Sequence, residues 1–320
     1  MVIKTKFYIL IVVILSYIFI KCDRNPFGDY NNSMSDQNFH PGVTTESPSS
    51  NVALIYKAFI LGRSTNTIYV CSVSNNSLSN CFNTGANNIN APTGIVVYNG
   101  VAFIANLNLT TITSCNVNSD FTFSNCIDSG AATINHPYEL TLVGSSIYVA
   151  NSGQGTGSTV SLCSISNNSL NCSTVGNGFN CPTEVNFLGN YVFVSNCNGG
   201  SILICNASNF LGCNSFAVAG SIIGVTITNG YTYSTGSGFI NYCSITSSIP
   251  PTLTSCNSIN SNYSDGPVSF LSGNIFYTTN GNPGRVNVCN ILANGSPSNC
   301  QDSGASGLPT GLNGIKIIGF

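Results

Sequence analysis

At 320 residues with 42% hydrophobic side chains the chain can bury a sizeable core, yet only 6% of it is charged, against roughly 25% in an ordinary soluble protein. Its 8 basic and 10 acidic residues leave a net charge of -2, which excludes a basic stripe and with it nucleic acid as a partner. The surface must be made polar by Asn, Ser, Thr and Gly, residues that favour turns and strand edges over helices.

In chain order, Lys4 and Lys6 precede an apolar run from Phe7 to Ile20. A basic stretch followed by a short apolar one reads as an export signal. The run is shorter than the 20 or so apolar residues of a spanning helix, so a cleaved signal over residues 1–22 is the first expectation and a retained anchor the alternative. Cys22 stands where a lipoprotein signal places its lipidated cysteine, although Lys21 departs from the small residue preferred before it. Residues 23–50 are polar, contain Pro and Gly and have no apolar period, which predicts a flexible linker. Membrane contact is therefore expected only through the N-terminus.

From Asn51 to Phe320 the chain repeats with a period of roughly 40–45 residues, the length of a four-stranded propeller blade. The best-kept copies start at Ala91, His136 and Cys181, and more eroded ones at Ile222 and Gly266. Each divides into four short runs rich in Val, Ile, Phe and Tyr, punctuated by Asn-Gly or Gly-Asn, as antiparallel hairpins prefer. Six units are counted. After them, "LPTGLNGIKIIGF" (Leu308 to Phe320) begins like a further unit and stops after one strand. The first unit, starting at "NVALIYKAFILG", has a poorly marked leading strand. The fold expected is all-β: a β-propeller of six four-stranded blades, closed by the C-terminal strand filling the missing place in the first blade.

The segments "PTGIVVYNGVAFIAN", "PYELTLVGSSIYVAN" and "PTEVNFLGNYVFVSN" resemble the NHL and YVTN families of secreted propeller repeats, in which a Pro-x-Gly-Ile strand precedes a Tyr-Val-x-Asn strand. The resemblance is strongest to cysteine-bearing versions exported by bacteria. It implies a fold over residues 51–320 and little about function, since propellers host many unrelated activities.

Fifteen cysteines with no CxxC spacing, and two histidines only, His40 and His136, argue for disulfides in an oxidising compartment over metal binding. One pair falls in every unit: Cys71–Cys81, Cys115–Cys126, Cys163–Cys172, Cys205–Cys213, Cys243–Cys256 and Cys289–Cys300. Each pair lies on the third and fourth strands. Cys163 and Cys172 are symmetric about Asn167-Asn168, the register of directly opposed residues across a two-residue turn. Cys181 and Cys197 share one rim and are expected to pair with each other, leaving Cys22 as the odd cysteine.

That rim also carries the candidate site. Glu139 and Glu184 occupy matching positions in consecutive units, where the remaining units have Gly94, Gly224, Ser269 and Gly311, and Asn106, Asn151, Asn196 and Asn280 follow the second strands. Carboxylates with Asn carbonyls beside them suit a hard cation such as Ca²⁺. Six-bladed lactonase-type hydrolases use a Glu, Asn and Asp set in this region, but no third acid matches here. The competing expectation is that the asparagines cap turns and the glutamates are solvated rim residues. His136 beside Pro137 reads as structural, no GxSxG or HExxH motif is present, and the chain has no Trp for a sugar platform. The expectation is a monomeric, exported, non-enzymatic scaffold for a protein or glycan partner. The alternative is a Ca²⁺-dependent hydrolase or lactonase at the channel mouth.

Overall fold

The computed structural model describes residues 54–236, 238–261, 266–279 and 281–320. They form six four-stranded antiparallel sheets, the blades of a propeller. Blade 1 consists, from the axis outward, of β24 (Leu312–Gly319), β1 (Tyr56–Gly62), β2 (Thr67–Ser74) and β3 (Ser77–Asn83). Blades 2 to 6 follow in chain order, beginning with the inner strands β4 (Pro92–Tyr98), β8 (Pro137–Val143), β12 (Pro182–Leu188), β16 (Thr226–Thr228) and β20 (Ser269–Leu271). The C-terminal strand closes the ring, as expected: β24 pairs with β1 from Tyr56↔Gly319 to Gly62↔Leu312, so blade 1 joins the two ends of the domain.

The apolar runs explain the packing. An inner strand lies between two neighbouring blades and must be apolar on both faces; β4, PTGIVVY, is buried at six of its seven positions. Six hydrophobic clusters correspond to the six blade interfaces. One joins Phe59 and Val70 of blade 1 to Ile95 and Ile104 of blade 2, and another joins Ile60 and Ile315 of blade 1 to Phe276 and Val288 of blade 6. Outer strands are largely exposed, as in β19 (Leu253–Asn260). Backbone bonds still tie some of them sideways: Phe123 N–H to Thr84 O, Leu170 N–H to Ser129 O and Leu78 N–H to Ser303 O connect blades 1–2, 2–3 and 6–1.

All seven expected disulfides form. In each hairpin pair the cysteine of the third strand is fully buried in a blade interface, as Cys71, Cys115 and Cys163 are. The directly opposed register holds in blade 3, where Cys163 faces Cys172. In the other five blades the residue before the second cysteine adopts a left-handed backbone: Asn80, Asn125, Gly212, Ser255 and Asn299, with φ of 51, 51, 65, 49 and 49°. In blades 1, 2, 5 and 6 the register shifts beside the bridge as well. A bulge of this kind bends the edge strand and leaves a poor template for pairing with another chain. In blade 4 the fourth strand starts at Asn214, so Cys213 lies in the hairpin before it. Cys22 lies outside the described residues, as do the signal and linker assignments.

Candidate functional site

The inner strands bring one residue each to a common level near the axis. Gly94 faces Ala105 across its ladder, Glu184 faces Ser195 and Gly314 faces Leu61, equivalent places in blades 2, 4 and 1. Glu139, just before the Leu140↔Val149 pair, is the blade 3 member. A Cβ at Gly94 would lie 2.9 Å from Glu139 Oε2, and one at Gly224 would lie 2.7 Å from Glu184 Oε2 and 3.3 Å from Pro267 Cα. Two glycines thus make the space into which the carboxylates fit.

Two expected members of this ring are displaced. Ser269 pairs with Phe276 and stands two residues along its strand, and Pro267 packs against Gly224 and Gly314 in its place. Gly311 precedes β24, and Gly314 takes its position. The reason is a sequence mimic: Pro309-Thr310-Gly311 repeats the Pro-Thr-Gly entry of an intact blade but lies three residues upstream of the structural match.

The glutamates are not solvated rim residues. Each is 2% exposed. The Lys316 ammonium, on β24 of blade 1, lies 3.6 Å from Glu139 Oε1. Blade 2 separates blades 1 and 3, so this ion pair spans the channel in front of blade 2. Glu184 Oε2 accepts the Val225 N–H at 2.8 Å, from the edge of the next inner strand. An innermost strand has no ladder partner on its axial edge, and neighbouring side chains supply the missing bonds. Thr93 donates to Tyr138 O, Asn186 to Val225 O, and Ser269 Oγ accepts the Ile317 N–H. Glu184 belongs to this set.

Burial pushes the Glu139 carboxyl up to about 8, with Lys316 opposing and the Glu184 charge adding. Burial likewise lifts Glu184 to about 7, against the pull of Lys316 and the Val225 N–H. One residue nearer the rim than Glu139, Tyr138 reaches from blade 3 over this level to Asn313 of blade 1. Its ring packs with Ala91 and Leu107 of blade 2 and Ile223 of blade 5, and its hydroxyl donates to Asn313 Oδ1 at 3.1 Å. Asn313 Nδ2 is buried without a partner.

The asparagines after the second strands do a different job. Asn106 Oδ1 accepts the Asn90 N–H, Asn151 Oδ1 the Asn135 N–H and Asn196 Oδ1 the Asn180 N–H, each from a residue 16 positions earlier. Asn106 and Asn151 also donate to Thr113 and Ser161. These bonds hold the entry loops, in which Ala91, His136 and Cys181, each followed by proline, have left-handed φ of 51, 45 and 58°, a conformation that costs a side-chain-bearing residue about 1 kcal/mol or more. The Cys181–Cys197 bridge fastens the same two segments in blade 4. In blade 6 the register puts Thr279, not Asn280, at this place; Asn280 itself lies outside the described residues. The asparagine oxygens therefore belong to the loops, and an ammonium stands beside the carboxylates, so this set does not make the oxygen cage that Ca²⁺ requires. Among the described residues no group of three or more His, Cys, Asp and Glu comes together.

Above this layer the rim exposes Asn108, Gln154 and Asn198. Asn108 donates to Asn90 Oδ1 within blade 2 and Asn198 to Asn180 Oδ1 within blade 4, while Gln154 donates to Leu107 O and Asn198 to Gly155 O, so amides cross-link the loops of blades 2 and 3 and of blades 3 and 4. His136 Nδ1 contacts Leu107 O at 2.8 Å, a structural bond between adjacent blades. Sequence reasoning missed Lys316, Tyr138 and Asn313. Lys316 had a signal, as the one charge in the apolar closing strand; Tyr138 and Asn313 had none, because their contact joins blades that the repeat does not place side by side.

No protein-family model matches the chain, and no curated protein matches it. Solved structures do. One chain of a nidogen–laminin complex superposes with a TM-score of 0.62 at 12% identity, covering 82% of this chain and 98% of that one. A Lactobacillus plantarum protein gives 0.59 at 11% identity, covering 83% and 99%. A candidate 6-phosphogluconolactonase of Bacteroides fragilis gives 0.54 at 14% identity, covering 80% and 83%. At these identities the similarity establishes the fold, a six-bladed β-propeller, and the seven disulfides point to an oxidising, extracytoplasmic setting.

Proposed function

We propose that this chain is an exported propeller of the NHL or YVTN type that acts, as a monomer, as a non-enzymatic binding scaffold, with its entry-loop rim facing a protein or glycan partner and any membrane attachment made through its N-terminus. The observation that carries the reading is the rim itself. Its loops are held in strained conformations by Asn106, Asn151, Asn196 and the Cys181–Cys197 bridge, beneath exposed amides. Preorganised loops lower the ordering cost of binding. The acids, in contrast, are buried on the axial side of Tyr138, Glu139 paired with Lys316 and Glu184 bound to the Val225 N–H, where a substrate would have to displace these partners. The nidogen–laminin neighbour is a propeller described in a complex with another protein.

The test is a binding screen of the exported protein against panels of extracellular proteins and neutral glycans, repeated with rim variants Asn108→Ala and Asn198→Ala and with opposite-face variants Leu292→Ser and Asn294→Ala. Binding lost with the rim variants and kept with the others is the expected result. Lactone hydrolysis that Glu184→Gln abolishes would overturn the reading in favour of an enzyme.

A further inference from the structure

Two carboxylates and one ammonium share the channel. Glu139 and Glu184 are each 2% exposed, and the Lys316 side chain is 25% exposed. The other inner strands packed around them add no charge: β4 contributes Gly94, the entry to β16 the Val225 N–H, and the entry to β20 Pro267. Two ionised carboxylates beside one ammonium would leave an uncompensated negative charge out of contact with water. Such a charge is costly, and the ordinary remedy is that the group binds a proton. Lys316 belongs to the strand that closes the ring, and its partner Glu139 belongs to blade 3, so the cluster connects the closing strand to a blade that is not its neighbour.

We propose that Glu139, Glu184 and Lys316 form a buried proton site that makes the closed propeller more stable in mildly acidic than in alkaline surroundings. The two carboxyls titrate as a unit. Both have folded values above the ordinary 4.5, so the folded chain holds more protons than the unfolded chain. The stabilisation is complete below about pH 4.5 and is lost as pH rises through the folded values near 7 and 8. This is opposite in direction to the salt-bridged carboxylates that make many proteins acid-labile. The inference rests on the fold and stands whether or not the rim binds a partner.

The experiment is thermal unfolding of the oxidised protein between about pH 5.5 and about pH 8.5, for the wild type, the E139Q/E184Q double variant and Lys316→Met. The wild type should lose several degrees of melting temperature across this range. The double variant, which carries neutral amides and keeps an acceptor for Val225 N–H, should lose much less. Lys316→Met should extend the fall to higher pH, because both carboxyls then retain their protons longer in the folded chain. A wild-type melting temperature that is flat over the range, or a double variant with the wild-type slope, overturns the proposal. Should the variants not fold, carboxyl-carbon NMR of glutamate-labelled wild type decides the matter. Two resonances titrating above about pH 6 support the site, and all glutamates titrating near 4.5 refute it.

Discussion

In blades 2, 3 and 4 the inner strands run seven residues and each entry loop hangs from an asparagine. In blades 5 and 6 the inner strands run three residues, and Gly236 and Thr279 hold the asparagine's place. The difference is one of means. An asparagine side chain bridges a gap between strand and loop. In blade 5 there is no gap: the Ser221 carbonyl lies against Gly236, where a Cβ would come within 2.0 Å of its oxygen, and Ile223 N–H reaches Thr235 O directly. The repeat keeps the position of the loop and varies how it is secured, by an asparagine side chain in blades 2, 3 and 4 and by backbone contact in blade 5.

The largest effect should come from breaking the backbone solution. Gly236 has φ 148° as well as the close carbonyl, so Gly236→Ala requires the loop to move and should cost about 3 kcal/mol or more, read as a fall of roughly 6–12 °C in melting temperature. A loss below about 1 kcal/mol would show that the loop is free to shift and that the contrast between blade 5 and blades 2 to 4 is superficial. Next comes Asn151→Ala, which strips a partner from the part-buried Asn135 N–H and from the buried Ser161 hydroxyl. Its expected cost is about 2–3 kcal/mol by denaturant unfolding, against about 1 kcal/mol for Thr279→Ala. Equal losses would deny that the asparagine carries its loop.

Much of the fold was readable because a propeller repeats its physics. Apolar runs such as Ala102–Ile104 and Val192–Val194 recur with one period, a cysteine pair marks every outer hairpin, and the lone strand after Leu308 has nowhere to go but the first blade. The site was half readable. Glu139 and Glu184 were visible as the acids at matched positions, but their burial was not, since a sequence does not show that Gly94 and Gly224 leave them room. Lys316 reaches Glu139 only after the ring has closed, and so depends on all the blades between. The asparagines were readable as turn caps, and their partners could have been found in the Asn-x-Pro that opens blades 2, 3 and 4: Asn90, Asn135 and Asn180.

Blade 4 has both devices at once, an asparagine and the Cys181–Cys197 bridge across the same two segments. The bridge closes a loop of 16 residues, which in the chain-entropy model is worth about 3 kcal/mol. The Cys197 N–H to Cys181 O bond already holds these strands together, however, as does Asn196. Replacing both cysteines by serine should therefore cost less than that figure, about 1–2 kcal/mol, and less than Asn151→Ala costs in blade 3, whose one bridge, Cys163–Cys172, lies in the outer hairpin and not at the rim. A loss above that of Asn151→Ala would reverse the order and make the disulfide the principal tie of the rim.

The smallest expected effect is that of calcium. An ion binding only the folded state raises the melting temperature as the logarithm of one plus its concentration over Kd, and a site of two carboxylates beside an ammonium must expel the ammonium first. Roughly millimolar Ca²⁺ should leave the melting temperature unchanged at a pH where both carboxyls are ionised, about pH 8.5. A rise there that Glu184→Gln abolishes would mean that Lys316 yields its place to a metal, and the channel would then have to be read as a cation site with a displaceable lysine.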